Sequence, residues 1–286
     1  MNRYMKPLGG IEEPQEKIKT VKESKFVLDI QGLSHIFDKG TKHEYKIFDN
    51  FNLKISDIPG KGEIISIMGG SGCGKSCLLR MAAGLMTPQV GEIFINGQSQ
   101  KEYKSVPMVF QSYSSYEWMT VLDNVALPMI IKGTPKKEAR EKALEMIKLV
   151  GLEQHASKYA KSSVLSGGQL QRVSIARCLS SGSKVFFLDE ATGALDIKMK
   201  REIQDLILKI CHESGLETTV INVTHSPEEA LYISDKIIIL KPNPCCVVKE
   251  MDIDYGESRG RWIFETDLYR EYYKELSACL DEVCYL

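Results

Sequence analysis

Residues 69–76 read GGSGCGKS, and no other stretch restricts the fold as strongly. The run before it, Glu63-Ile64-Ile65-Ser66-Ile67-Met68, alternates and is β-rich, as a strand should be. The run behind it, Cys77-Leu78-Leu79-Arg80-Met81-Ala82-Ala83, reads as a helix that stops at Gly84. Strand, glycine-rich loop and helix in that order turn the pattern GxxxxGKS/T into a mechanism. Gly69, Gly70, Gly72 and Gly74, with Ser71 and Cys73 between them, let backbone N–H groups close around phosphate oxygens, and the helix N-terminus adds its positive dipole end. Lys75 is placed to reach β- and γ-phosphates, and Ser76 to put a hydroxyl on Mg2+.

The remaining composition narrows the partners. A net charge of -1 gives no electrostatic argument for nucleic acid or an anionic membrane. The longest apolar run, residues 125–131, contains Pro128 and is far too short to span a bilayer, and the N-terminus has no apolar core of signal-peptide length. A membrane role is therefore expected to come through a partner. Eight cysteines without a CxxC pair and five histidines without zinc spacing read as free thiols of a reducing cytoplasm. Cys245 and Cys246 are adjacent, too strained to pair easily, and read as strand residues.

Taken in order, residues 1–24 mix Pro, Gly, Glu and Lys without apolar residues to bury and read as a mobile tail. An ordered domain is expected over 25–241. It opens with a strand at 26–30, then His35-Ile36-Phe37, a polar segment at 38–46, and a strand in which Phe51, Leu53 and Ile55 alternate. Several strands ahead of the nucleotide helix predict an antiparallel layer beside a parallel core. A short strand at 91–97 closes on an Asn-Gly turn, and another at 106–110 ends in Gln111. Residues 112–165 are helical between flanks that alternate strand and helix, which predicts a helical subdomain inserted in the core. Thr120 caps its first helix, and the second has Pro135 at its start and Gly151 just past its end. A helix from 166 to 179, the apolar strand at 184–188, a helix at 196–214, a strand at 218–223, a helix at 227–234 and a strand at 236–240 complete a βα alternation. Residues 242–286 form an extension with a terminal helix carrying Leu268, Tyr272, Leu276, Cys279 and Val283 on one stripe. That stripe packs on the core or serves a partner.

Two further features carry chemistry. Asp189 ends an apolar strand, where a Mg2+-linked acid belongs, and Glu190 follows it, where a carboxylate can activate the attacking water. Ser166-Gly167-Gly168-Gln169 places a serine and two glycines at a helix start, a second anion site. If the second start also touches nucleotide, it can do so from another copy of the chain, which would put ATP at a symmetric head-to-tail interface.

With these motifs in hand the chain resembles the ATP-binding subunit of an ABC transporter, an α/β P-loop NTPase (RecA-like) core with an antiparallel β subdomain and an inserted helical subdomain. GGSGCGKS at 69–76, Gln111, LSGGQLQR at 165–172, VFFLDE at 185–190, Ala194-Leu195-Asp196 and His225 in VTHSPEEAL match the family's motifs in its order. The resemblance implies that Phe37, or its rival Tyr45, stacks on adenine, and that residues 69–77 bind the triphosphate. Gln111 would contact Mg2+ or the attacking water and sense a membrane partner. Ser166, Gly167, Gly168 and Gln169 would reach the γ-phosphate held by a second subunit. Glu190 would be the general base and His225 would hold the γ-phosphate. Metal ligation falls to Ser76, Gln111 and Asp189. ATP and Mg2+ are the implied cofactors. The implied partners are a second ATPase subunit, integral-membrane permease subunits and an extracytoplasmic solute-binding protein, with no nucleic acid, and the implied location is the cytoplasmic face of the membrane.

The chain departs from the family in two places. Cys77 stands where a threonine is usual, which removes a hydroxyl near the α-phosphate and predicts altered nucleotide binding; Ala191 replaces a proline with no firm physical consequence. QSYSSYEWMTVLDNVALP resembles nitrate, sulfonate and taurine importer ATPases, which implies import of a small anion or sulfonate-like solute. ATGALD and NVALPMIIKG are also similar to lipoprotein-release and macrolide-efflux ATPases. A non-transport signalling ABC ATPase is a further alternative. Tyr113, Tyr116 and Trp118 either line a groove for a permease or are core and rim aromatics.

Overall fold

The computed structural model describes residues 25–103, 106–256 and 259–284, and the tail expected at 1–24 lies outside them. Two long strands, β1 (Phe26–Phe37) and β2 (Tyr45–Ser56), pair antiparallel at the start of the described chain. Here the strand expected at 26–30 is corrected. It runs on through His35-Ile36-Phe37, and β2 begins inside the polar segment. Register shifts between Ile30 and Leu33 and between Leu33 and His35 explain the difference. Bulges break the two-residue period that marks a strand in sequence without breaking the pairing.

The phosphate-loop strand β3 (Glu63–Gly69) leads into α1 (Lys75–Ala82). Next come β4 (Val90–Ile95) and β5 (Gln98–Ser99), joined at Asn96 and Gly97 with φ of 48° and 74°, a turn that Asn-Gly adopts readily. They complete an antiparallel sheet in the order β2-β1-β4-β5.

A short α2 (Gln100–Tyr103) precedes β6 (Met108–Phe110). The helical region holds α3 (Val121–Ile131) and α4 (Lys136–Leu149). Thr120 caps α3 as its sequence suggests, its hydroxyl accepting from the Asp123 N–H at 3.1 Å. The α/β alternation then continues with α5 (Gly167–Ser180), β7 (Val185–Asp189), α6 (Ile197–His212), β8 (Thr219–Val223), α7 (Pro227–Ile233) and β9 (Lys236–Lys241). The chain closes with β10 (Cys246–Asp252) and α8 (Asp267–Cys284).

The central sheet has the order β10-β9-β3-β8-β7-β6, parallel throughout except for β10, which pairs antiparallel with β9 at the edge. Alternate residues serve two cores. Ile64, Phe186, Leu188 and Val220 face the helices α3 to α8, while Ile65, Ile67, Phe187 and Ile221 face α1 and the antiparallel sheet. Both faces are covered, so the strands read as continuous apolar runs; each such side chain contributes about 1.5–3 kcal/mol of burial.

The terminal helix packs on the first of these cores through Leu276, Cys279 and Val283. Leu268 is corrected: it is 37% exposed, and Tyr269 takes its place, its ring meeting Phe264 edge-on at 5.0 Å. The buried face starts one residue later because that edge-on contact, invisible to helical spacing, selects it.

The register of the parallel strands positions the site. Phe110 is level with Asp189, and Asp189 with Val223, which is also level with Ile67. Gln111, Glu190 and the Thr224-His225 pair therefore leave the sheet side by side, next to the loop after β3.

Candidate nucleotide site

The loop between β3 and α1 is shaped by its neighbours. Gly74 caps α1 at φ 101°, and a Cβ there would stand 3.0 Å from the side chains of both Ile47 and Phe48. Lys75 is buried, with Nζ donating to the carbonyls of Gly69 and Gly70 at 2.9 Å each and lying 3.7 Å from Cys73 Sγ. Its ammonium is thereby held against the backbone of the loop itself. Burial pushes the Cys77 thiol above its ordinary value, against Arg80 and with Asp189, so this position carries no charge at neutral pH.

At the floor, Ser76 Oγ donates to Asp189 Oδ1 at 2.7 Å, with Arg80 Nη2 at 3.9 Å from the second carboxylate oxygen. The sequence placed Ser76 and Asp189 on one metal, and the structure brings them into contact. A hydroxyl and a carboxylate are hard oxygen donors of the kind Mg2+ takes together with phosphate oxygens. Glu190 turns out of the sheet at φ 50°, an uncommon conformation for a residue with a side chain. Its Oε1 stands 2.6 Å from His225 Nε2. Gln111 is on the same side: a Cβ on Gly193 would lie 3.3 Å from both Gln111 Nε2 and the Glu190 carbonyl. Ser76, Arg80, Gln111, Asp189 and Glu190 line one open cleft of about 460 Å3.

Phe37 and Tyr45 face each other at the end of the β1-β2 pair. Phe37 meets His35 edge-on at 4.8 Å, whereas the Tyr45 hydroxyl donates to the Gly72 carbonyl at 3.4 Å, on the phosphate loop itself.

Ser166 and Gln169 form a full capping box at the start of α5. Ser166 Oγ accepts from the Gln169 N–H at 3.3 Å, and Gln169 Oε1 accepts from the Ser166 N–H at 2.9 Å. Gly167 leaves room for the Tyr113 phenol, which occupies the place of a Cβ there. Ser166, Gly168 and Gln169 line a separate cleft of about 400 Å3 that shares no residue with the cleft at Ser76 and Asp189. Within one chain, the starts of α1 and α5 thus line different clefts.

Two site residues escaped the sequence reading. Gln171 is wholly buried, with Nε2 donating to the Ala191 carbonyl at 2.6 Å and the Phe110 carbonyl at 3.3 Å. It ties the residue after Glu190 to the residue before Gln111. Its signal in the sequence is an amide on the inward face of α5, among Leu170, Val173 and Ser174. Arg177, two turns further on, donates to the Ser114 carbonyl at 2.5 Å and stacks over Tyr116 at 4.7 Å. Of the aromatic trio, Trp118 is 74% exposed and belongs to no core, and the nearby Ile131 is 75% exposed. Tyr116, Leu127, Ile131 and Arg177 border a groove of about 800 Å3.

Comparison with known proteins gives consistent findings. A family model described as ABC transporter matches residues 48–193. An ABC transporter ATP-binding protein of Methanocaldococcus jannaschii is 36% identical over 272 residues, 95% of this chain and 98% of that protein. The spermidine/putrescine import ATP-binding protein PotA of Borreliella afzelii is 36% identical, covering 83% of this chain and 66% of that protein. The taurine import ATP-binding protein TauB of Roseobacter denitrificans is 36% identical, covering 80% and 83%. Among solved structures, the dimeric post-hydrolysis state of the cassette MJ0796 bound to ADP and Pi matches with a TM-score of 0.66 at 32% identity, covering 79% of this chain and 99% of that one. The cbiO1 chain from Clostridium perfringens, part of the ABC transporter complex cbiONQ, matches with a TM-score of 0.68 at 25% identity, covering 90% and 98%.

Proposed function

The chain belongs to the ATP-binding cassettes of the ABC transporter family and is an ATPase, and we propose that it works as a dimer that powers solute import through separate permease subunits. The observation that carries the mechanism is the Glu190–His225 pair at 2.6 Å, one residue beyond Asp189 of the Ser76–Asp189 pair. The β- and γ-phosphates of ATP lie on the loop at 69–76 and on Lys75. Ser76 and Asp189, with Gln111 beside them, would hold Mg2+, which when bound would neutralise charge on the phosphate oxygens. Glu190 accepts a proton from the attacking water, and His225 orients that carboxylate and donates to the γ-phosphate. Adenine stacks on the aromatic pair Phe37 and Tyr45.

The separation of the two clefts supports a second copy as the donor of the Ser166 and Gly168 contacts. Each site is then made of one chain's phosphate loop and the other chain's α5 start, so the two sites close together. The groove between Tyr116 and Ile131, with Trp118 exposed beside it, receives a permease segment at the cytoplasmic face of the membrane. Among the described residues no helix is long and apolar enough to cross a membrane. Similarity to a taurine importer supports a sulfonate-like solute, and equal identity to a spermidine/putrescine importer supports a cationic one.

The test is Glu190→Gln. The variant should bind ATP, lose turnover by about 10²–10⁴-fold, the usual contribution of a general base, and accumulate as a dimer on size exclusion with ATP. Undiminished ATPase activity would remove Glu190 from the mechanism.

A further inference from the structure

VTHSPEEAL holds a second ionisable residue that the mechanism above leaves unused. Glu229 is on α7, and its carboxylate is 5% exposed. Both oxygens are taken. Oε1 accepts from the Thr192 hydroxyl at 2.8 Å, while Oε2 accepts from the Thr224 hydroxyl at 2.8 Å and meets Lys200 Nζ at 3.1 Å. Thr192 and Thr224 are themselves buried.

These partners belong to the two segments whose relative position matters for hydrolysis. Thr192 is in the turn that follows Glu190, closed by the Gly193 N–H donating to the Glu190 carbonyl at 2.9 Å and the Leu195 N–H donating to the Thr192 carbonyl at 3.2 Å. Thr224 immediately precedes His225, and its hydroxyl also accepts from the Ser226 N–H on the far side of that histidine at 3.1 Å. Lys200 is on the first turn of α6, which Asp196 caps. The backbone supplies one further link between these segments, the Glu190 N–H donating to the Val223 carbonyl at 3.0 Å. His225 itself is exposed, so packing does not fix its ring; the fixed points are the residues on either side of it.

We propose that Glu229 is a positioning residue for ATP hydrolysis, its carboxylate locking the turn that carries Glu190 to the loop that carries His225. This rests on the roles given to Glu190 and His225 above. Glu229 does not line the cleft of Ser76, Asp189 and Glu190; it acts by keeping the 2.6 Å contact in place. A carboxylate suits the task because each of its oxygens accepts from a hydroxyl while the shared charge holds Lys200, and an amide can offer only one acceptor oxygen.

A double-mutant cycle on the purified full chain tests it, with ATPase turnover, KM and fluorescent-nucleotide affinity read for E229Q, H225A and the pair. E229Q should lower kcat by about 10–100-fold, the scale of a small misplacement of a reacting group, with nucleotide affinity within about twofold of wild type. In the H225A background E229Q should change kcat by less than about twofold, because both substitutions remove the same contact. If E229Q does not fold, T192V and T224V each delete one hydroxyl partner. Each should then lower kcat in the wild-type background and do little after H225A.

Effects of E229Q and H225A that multiply would overturn the inference, as would T192V and T224V that both turn over at the wild-type rate. An H225A variant with wild-type turnover would instead remove His225 from the mechanism, and this inference with it. An impaired H225A with multiplying effects removes only the role of Glu229.

Discussion

Replacing Gln171 with leucine separates stability from catalysis. The amide makes two hydrogen bonds, to Ala191 at 2.6 Å and Phe110 at 3.3 Å, while its Oε1 is buried without a partner. Leucine leaves both carbonyls without their donor, at about 1–3 kcal/mol each, while removing the orphaned oxygen returns about 1–3 kcal/mol. The balance is a loss of about 2 kcal/mol, a fall in Tm of about 4–8 °C. Catalysis responds on another scale. The two carbonyls sit next to Glu190 and Gln111, and a displacement of about 1 Å at reacting groups lowers rates by about 10²-fold. We expect Gln171→Leu to melt about 4–8 °C below wild type and to hydrolyse ATP about 10–100-fold more slowly. Thermal melting and phosphate release measured on the same sample decide it. A variant that melts far lower yet turns over ATP at the wild-type rate refutes the reasoning, because the amide would then serve only packing.

Three other perturbations follow from the same geometry. Lys75→Ala removes the ammonium held at 2.9 Å from the loop carbonyls and should weaken ATP binding about 10–100-fold, the equivalent of a charge-assisted hydrogen bond; fluorescent-nucleotide titration reads this directly. Burial pushes the Asp235 carboxyl up, but His212, Arg259 and the Ile64 N–H outweigh it and hold the group below its ordinary value. Its folded value being depressed, its contribution to stability is present above the ordinary carboxylate pKa of about 4 and is lost as pH falls through the folded value. Melting curves of the wild type should therefore fall more steeply with acid than those of Asp235→Asn, which should itself be less stable by about 3–5 kcal/mol near neutrality because Arg259 is left buried and unpaired. Leu276→Ala on α8 should destabilise the whole domain by about 2–5 kcal/mol in a single transition by urea titration, since that side chain is fully buried in the core shared with α5 to α7.

What the sequence made legible were features with a local signature. The phosphate loop needs glycines at fixed spacing, the α5 cap needs serine three residues before glutamine, and the central strands need apolar runs; each is a property of neighbours in the chain. The features it hid depend on distant segments. Bulges in β1 disguised seven residues of strand as an interruption. Tyr269 displaced Leu268 through contact with Phe264, and Tyr113 found its place against Gly167, more than fifty positions away in the chain. Gln171 lay inside a motif already recognised, but its partners at Phe110 and Ala191 are set by strand register. Motif spacing gives the groups that do chemistry; the groups that aim them are chosen by tertiary contact.

Helix α5 is one uninterrupted element of 14 residues, about 21 Å from end to end. Ser166 and Gly168 are at its head, Gln171 grips the two catalytic strand ends in its first half, and Arg177 near its tail holds Ser114 and Tyr116 at the aromatic groove. No proline interrupts the helix, so a displacement imposed at the tail would reach the head through Gln171. The aromatic groove and the capped Ser166 end thus share one rigid element, and the residues flanking Gln111 and Glu190 are bound to its middle.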